Sequence, residues 1–237
     1  MAFQISLNSR TSKIVREYND GIFLNGPYEV GLKHFTVWNS LYNVTTKNNI
    51  IVFKYFSDNH FVSETYTFPP GYYEIDEIIE KIQNDEHIKQ SETTISLSKH
   101  SFKISIRSKW EIDFDSEHSL GRLLGFSKQK IKPNTTVVSD MPVDIFSINN
   151  IKVCCNLIQS NIEDLKRNVN TLYDFPLDSN SFGAKIIKEP NPICYFTVNT
   201  DKIYELLVTI TDQDNNIIDF HEELISLTLD FRPIKNG

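Results

Sequence analysis

Asp212, Asp214, Asn216 and Glu223 fall at positions 1, 3, 5 and 12 of a calcium-binding loop. That chemistry needs Gly at position 6 for the sharp turn. Ile217 stands there instead, and both flanks read as strands rather than helices. A β-turn built on Asx side chains accounts for the same residues. The histidines, His34, His60, His87, His100, His118 and His221, show no metal-ligand spacing with one another or with Cys. Cys154 and Cys155 lack the two-residue gap of a zinc pair, and Cys194 stands alone. Three cysteines build no disulfide framework, so all are expected to be small buried or half-buried side chains. Glu222 and Glu223 are adjacent; on a strand they face opposite ways and cannot flank one glycosidic bond. The chain carries no phosphate-binding glycine loop, no Gly-x-Ser-x-Gly elbow and no His-Glu-x-x-His. The expectation is a non-enzymatic protein with no catalytic, cofactor-binding or metal-ligating residues and no cofactor.

Charge narrows the partners. Lys and Arg number 24 against 31 Asp and Glu, a formal net charge of -7 that repels polyphosphate. The short basic cluster Lys128, Lys130 and Lys132 reads as a solvated loop, so direct nucleic-acid binding is not expected. Met1 to Leu7 is too short and polar for a secretory leader, and no apolar run is long enough for a membrane helix. Accordingly the sequons at Asn43 and Asn134 read as chance matches.

The elements that hold these residues are mostly strands. Sixteen Phe, ten Tyr and frequent Ile suit pleated, half-buried surfaces. Residues 1–26 read as a polar arm, with a short strand at Lys13 to Val15, that contacts neighbouring subunits. From Tyr28 the pattern alternates; between Leu32 and Phe35 its phase slips by one residue, which predicts a bulge or bend. Strands follow at Ile50 to Phe56 and Phe61 to Phe68. Pro69-Pro70-Gly71 stops the second, and Tyr72 and Tyr73 lead into a helix whose stripe is Ile75, Ile78, Ile79 and Ile82. Thr93 to Leu97 and Phe102 to Ile106 form a hairpin, followed by Trp110 to Phe114. Ser119 caps one helical turn that Gly125 closes in the left-handed conformation, with Leu120, Leu123 and Leu124 facing inward and Phe126 beyond. Later strands are expected in Val143 to Ile158, Phe182 to Ile187, Ile193 to Val198, Leu206 to Thr211, Ile217 to Phe220 and Ile225 to Phe231. The fold class is all-β: a jelly-roll-type antiparallel β-sandwich with two short helical insertions, spanning residues 27–237, with a possible sub-boundary in the loop 127–142.

Five ordered segments carry a resemblance: Phe68 to Ile75, Ser119 to Phe126, Val143 to Ile158, Lys185 to Pro190, and Ile210 through Asp212 and Asp214 to Leu229. In order and spacing they resemble the minor capsid (penton) protein of Polinton/Maverick elements and adintoviruses, over roughly residues 28 to 232. The resemblance implies a jelly-roll subunit that forms pentamers at the vertices of an icosahedral capsid and contacts the double-jelly-roll major capsid protein. It implies a virion protein made in the host cell, and its matching residues are structural. Where the family would place Gly before Ile217, this chain has Asn216, which tolerates positive φ. The alternative is a β-sandwich attachment module for glycans or a protein receptor, with Trp38, Trp110 and the paired tyrosines as a stacking surface.

Overall fold

The computed structural model describes residues 1–145, 148–158, 170–177 and 181–234. In chain order the strands are β1 (Phe3–Ser9), β2 (Lys13–Phe23), β3 (Tyr28–Trp38), β4 (Ile50–Ser57) and β5 (His60–Thr67). The helices α1 (Ile75–Asn84) and α2 (Glu86–Lys89) follow. Then come β6 (Thr94–Leu97), β7 (Ile104–Arg107), β8 (Glu111–Asp113), a 3-10 turn (Leu120–Arg122), β9 (Lys130–Ile131) and β10 (Val137–Val138). The chain continues with β11 (Asn150–Cys155), β12 (Thr171–Pro176), β13 (Lys185–Lys188), β14 (Phe196–Thr197), β15 (Lys202–Thr211) and β16 (Ile225–Pro233). The fold is all-β, antiparallel and jelly-roll-like.

Two compact units divide the chain: Met1–Leu41 with Ile148–Gly237, and Tyr42–Ser147. The first unit is a sandwich. One sheet runs β1-β16-β3-β13, with β14 also on β3; the other runs β12-β11-β15-β2. Their inward residues share one core that includes Leu32, Phe35, Val153, Leu206, Ile210, Leu227 and Phe231. Burial of such side chains stabilises by about 1.5–3 kcal/mol each, and alternation along β16 places Ile225, Leu227, Leu229 and Phe231 on that one face. The phase slip in β3 is a bulge: Thr228 pairs with His34 and Leu229 with Leu32, so Lys33 is the extra residue.

Residues 1–26 are not a separate arm. β1 pairs with β16 over seven positions, from Phe3 with Phe231 to Ser9 with Ile225, and β2 pairs with β15. Ile5, Leu7 and Ile14 enter the core, and Phe3 stacks on Phe231 at 4.9 Å. Burying these apolar groups outweighs the polar character of the rest of the segment.

The second unit has its own core around Ile51, Phe53, Phe68, Ile78, Ile82, Ile104, Ile106, Ile112 and Leu124. Its sheets are β10-β7-β6 and β5-β4-β8-β9. α1 buries Ile78 and Ile82, with a reciprocal capping box between Glu74 and Glu77 and with Asp76 in the first turn suiting the helix dipole. The unit boundaries at 41/42 and 147/148 replace the one expected within 127–142. That loop-like stretch stays inside the second unit and carries β9 and β10. Several strands are shorter than expected: among the described residues the Val143 to Ile158 segment forms the strand Asn150–Cys155, and the Ile193 to Val198 segment is a strand only over Phe196–Thr197. Residues 159–169, read as a loop or short helix, lie outside the described residues.

Candidate functional site

The residues singled out by the resemblance sit at three backbone junctions. At the first, Gly71 and Val44 exchange N–H to O bonds of 2.9 and 3.0 Å. Gly71 has no left-handed backbone here; its place is a bridge rather than a tight turn. Pro69 accepts the Tyr73 hydroxyl at 2.8 Å, and Pro70 completes the stop between β5 and the bridge. Asn43, buried, holds Tyr73 from both sides: its Nδ2 donates to Tyr73 O at 2.7 Å and its Oδ1 accepts from Tyr73 N at 2.9 Å. The Tyr73 ring meets Phe68 edge-on at 6.1 Å, and Lys81 Nζ lies over the ring at 5.5 Å. The Tyr72 hydroxyl donates to Glu74 at 2.8 Å; burial first, then that bond and the acidic neighbours, push its phenol up to about 12.

At the second junction Ser119 Oγ accepts from Gly121 N at 3.1 Å and caps the 3-10 turn. Gly125 takes φ +82 and passes so close to Met141 that a Cβ would overlap the Met141 carbonyl oxygen. Leu123, Leu124 and Phe126 are buried, Phe126 stacking on Phe114 at 4.9 Å. At the third, Asp212 Oδ1 accepts from the backbone N–H groups of Asp214 and Asn216, both at 2.8 Å, and Oδ2 accepts from Asn216 Nδ2 at 3.0 Å. The calcium-like spacing is therefore an Asx-braced turn with both carboxylate oxygens committed to the chain. Its left-handed residue is Asn215, φ +64, not the expected Asn216. Lys152 Nζ donates to Gln213 O at 2.9 Å and ties the turn to β11. Among the described residues no three His, Cys, Asp or Glu side chains converge on a metal-binding geometry. Cys155 is buried, which pushes its thiol up to about 11; Cys194, expected to be at least half-buried, is exposed.

Chemistry gathers elsewhere, in the second unit. A cavity of about 200 Å³ lies against β5, α2 and the start of β8. Phe53, Tyr66 and Trp110 give it aromatic walls, and Glu64 and His87 its polar groups. Trp110 is fixed by stacking on Tyr55 at 4.1 Å, and Tyr55 donates its hydroxyl to Glu64 Oε1 at 2.8 Å. Sequence reasoning named Trp110 but set it beside Trp38 and the tyrosine pair. Trp38 belongs to the first unit and lies under Lys185, and Tyr72 and Tyr73 do not line this cavity. Beyond the cavity, Phe56 and Phe61 stand exposed beside the β4–β5 turn, their rings 5.2 Å apart.

No protein-family profile and no curated protein sequence matches the chain. A search of solved structures finds the crystal structure of the mavirus penton protein, at 13% identity and a TM-score of 0.52. The match covers 99% of this chain and 100% of that one. The fold is similar to that of the mavirus penton protein. At this identity the similarity is one of backbone architecture, and it spans both units, the sandwich and the Tyr42–Ser147 unit alike.

Proposed function

We propose that this chain is a structural minor capsid (penton) protein, a component of a virion. Five copies form the vertex of an icosahedral capsid and contact the double-jelly-roll major capsid protein. The observation that carries the reading is the full-length likeness to a penton protein. The family resemblance of the ordered segments around Pro69, Ser119, Lys185 and Asp212 supports it independently. A closed ring requires a heterologous interface, in which one flank of each subunit meets the opposite flank of the next. The capsid role asks for no catalysis, and the Asx-braced, capped and bridged junctions serve it as fixed geometry.

Purified chain is examined by mass photometry and negative-stain microscopy, alone and with the cognate major capsid protein. Five-fold rings, or five-chain assemblies that appear on adding the major capsid protein, are expected. A strict monomer at high concentration that also fails to bind the major capsid protein overturns the proposal.

A further inference from the structure

β5 ends its sheet. Only β4 pairs with it, and among the described residues its other side has no strand partner. Exposed edges are usually guarded by Lys, Pro, bulges or shortness, because a free row of N–H and C=O groups templates further pairing. β13 is only four residues long and is bracketed by Lys185 and Lys188, and β2 carries Lys13, Arg16 and a bulge. β5 runs eight residues, His60 to Thr67, with no Lys, Arg or Pro.

The 200 Å³ cavity reaches this edge strand: Glu64, Thr65 and Tyr66 of β5 line it together with Phe53 of β4. Glu64 and Tyr66, two residues apart, share one face of β5, the face on which a strand added beside β5 would present alternate side chains. Across it stand Ile88 and His87 of α2, with Trp110 as a wall. Its one formally negative lining group is Glu64, held in place by the Tyr55 hydroxyl at Oε1. Asp85 lies close enough for its charge, after burial, to raise the Tyr66 phenol. In the same sheet Lys54 is held by Asp113 at 2.6 Å, and Lys109, just before β8, pairs with Glu92 at 3.1 Å.

Aromatic faces beside a fixed carboxylate favour a cation on an apolar stem, and a purely apolar guest would desolvate Glu64 without repaying it. The volume suits one side chain rather than a larger ligand, since pockets for drug-sized molecules run from about 300 Å³ upward. We propose that β5 and this cavity form a strand-addition site. An extended segment of a partner protein pairs along the free edge of β5 and places one Lys or Arg side chain between Trp110, Tyr66 and Glu64. The backbone bonds give affinity, and the cavity selects the cationic residue. All the residues involved belong to the Tyr42–Ser147 unit, so the inference stands apart from the capsid reading.

The test uses the full chain and a fluorescein-labelled eight-residue peptide of alternating Thr and Val with one central Lys, followed by anisotropy. Saturable binding is expected. Replacing the central Lys with norleucine should weaken it about tenfold or more, a factor typical of one matched charge. N-methylation of alternate backbone amides should abolish it. Glu64→Gln should weaken the Lys peptide by about the same factor and leave the norleucine peptide unchanged. The proposal is overturned if the Lys peptide fails to saturate by about 1 mM, a level where only negligible affinity remains. It is equally overturned if norleucine binds as well as Lys, or if the N-methylated peptide binds as well as the unmodified one. The two peptide substitutions leave the protein untouched, so the result holds even if Glu64→Gln fails to fold.

Discussion

The side-chain amide of Asn43 brackets the peptide of Tyr73, donating through Nδ2 to its carbonyl at 2.7 Å and accepting through Oδ1 from its N–H at 2.9 Å. Asn43 thus substitutes for a strand partner where α1 is about to begin. Asn43→Ala leaves two backbone groups unpaired in a partly buried place and should cost about 2–4 kcal/mol, at about 1–2 kcal/mol for each lost bond. Asn43→Asp keeps the acceptor, removes the donor and buries a charge, so it should cost at least as much. Urea denaturation of both variants checks this. Expression in a glycosylating host should also leave Asn43 unmodified, because its Nδ2 is occupied inside the fold.

Gly125 takes φ +82 beneath the Met141 carbonyl, whereas Gly183 takes φ +78 with open space where a Cβ would stand. Gly183→Ala should therefore cost only the left-handed penalty, about 1–2 kcal/mol. Gly125→Ala adds a steric clash with backbone and should cost clearly more, with the melting temperature of the second unit falling further. Equal losses in the two variants would show that the close approach at Met141 relaxes without cost.

Burial raises the Asp113 carboxyl, but the Lys54 hydrogen bond, the Asp115 N–H and the charge of Lys130 outweigh it and hold the group below its ordinary value. A carboxylate depressed in the folded state contributes stability above its unfolded value, near 3.9, and loses it as pH falls through the folded value. Stability should therefore fall on acidification below about pH 5. Asp113→Asn should lower stability at neutral pH and flatten that acid slope. Denaturation midpoints measured from pH 2 to 7 give the comparison.

β1 pairs with β16 along its whole length, and Leu7 is buried. Leu7→Ala should cost about 2–5 kcal/mol, the range for a leucine removed from a core. Deleting residues 2–20 should remove two edge strands and leave the first unit unfolded, seen as lost near-ultraviolet dichroism. A truncated chain that melts like the full one would contradict the register described.

The fold was readable where one face alternates cleanly. The Ile75, Ile78, Ile79, Ile82 stripe forecasts α1, the slip between Leu32 and Phe35 forecasts the bulge at Lys33, and Ile225 to Phe231 forecasts β16. The N-terminal strands were hidden because edge strands bury little: β2 buries only Ile14, and exposed Val15 and Phe23 break the alternation. The unit boundaries were hidden because Leu41-Tyr42 has no Gly or Pro to mark a junction, while the Pro-containing 127–142 stretch looks like one. The cavity could not be read from the chain, since Glu64, His87 and Trp110 come from three separated segments. The signal that existed was an eight-residue strand with no Lys, Arg or Pro, whose one formal charge is Glu64.

The pairing of β1 with β16 also sets an order of events during synthesis. The strands from residues 42 to 147 are complete in mid-chain, so that unit can fold while later residues are still being added. The sandwich must wait for Ile225–Pro233 to emerge before its earliest strand finds a partner. Until then the apolar faces of β1 and β3 are open to solvent and to other chains. β16 is therefore the clasp that protects β1, and a ribosome stalled between them releases a half-closed, aggregation-prone product.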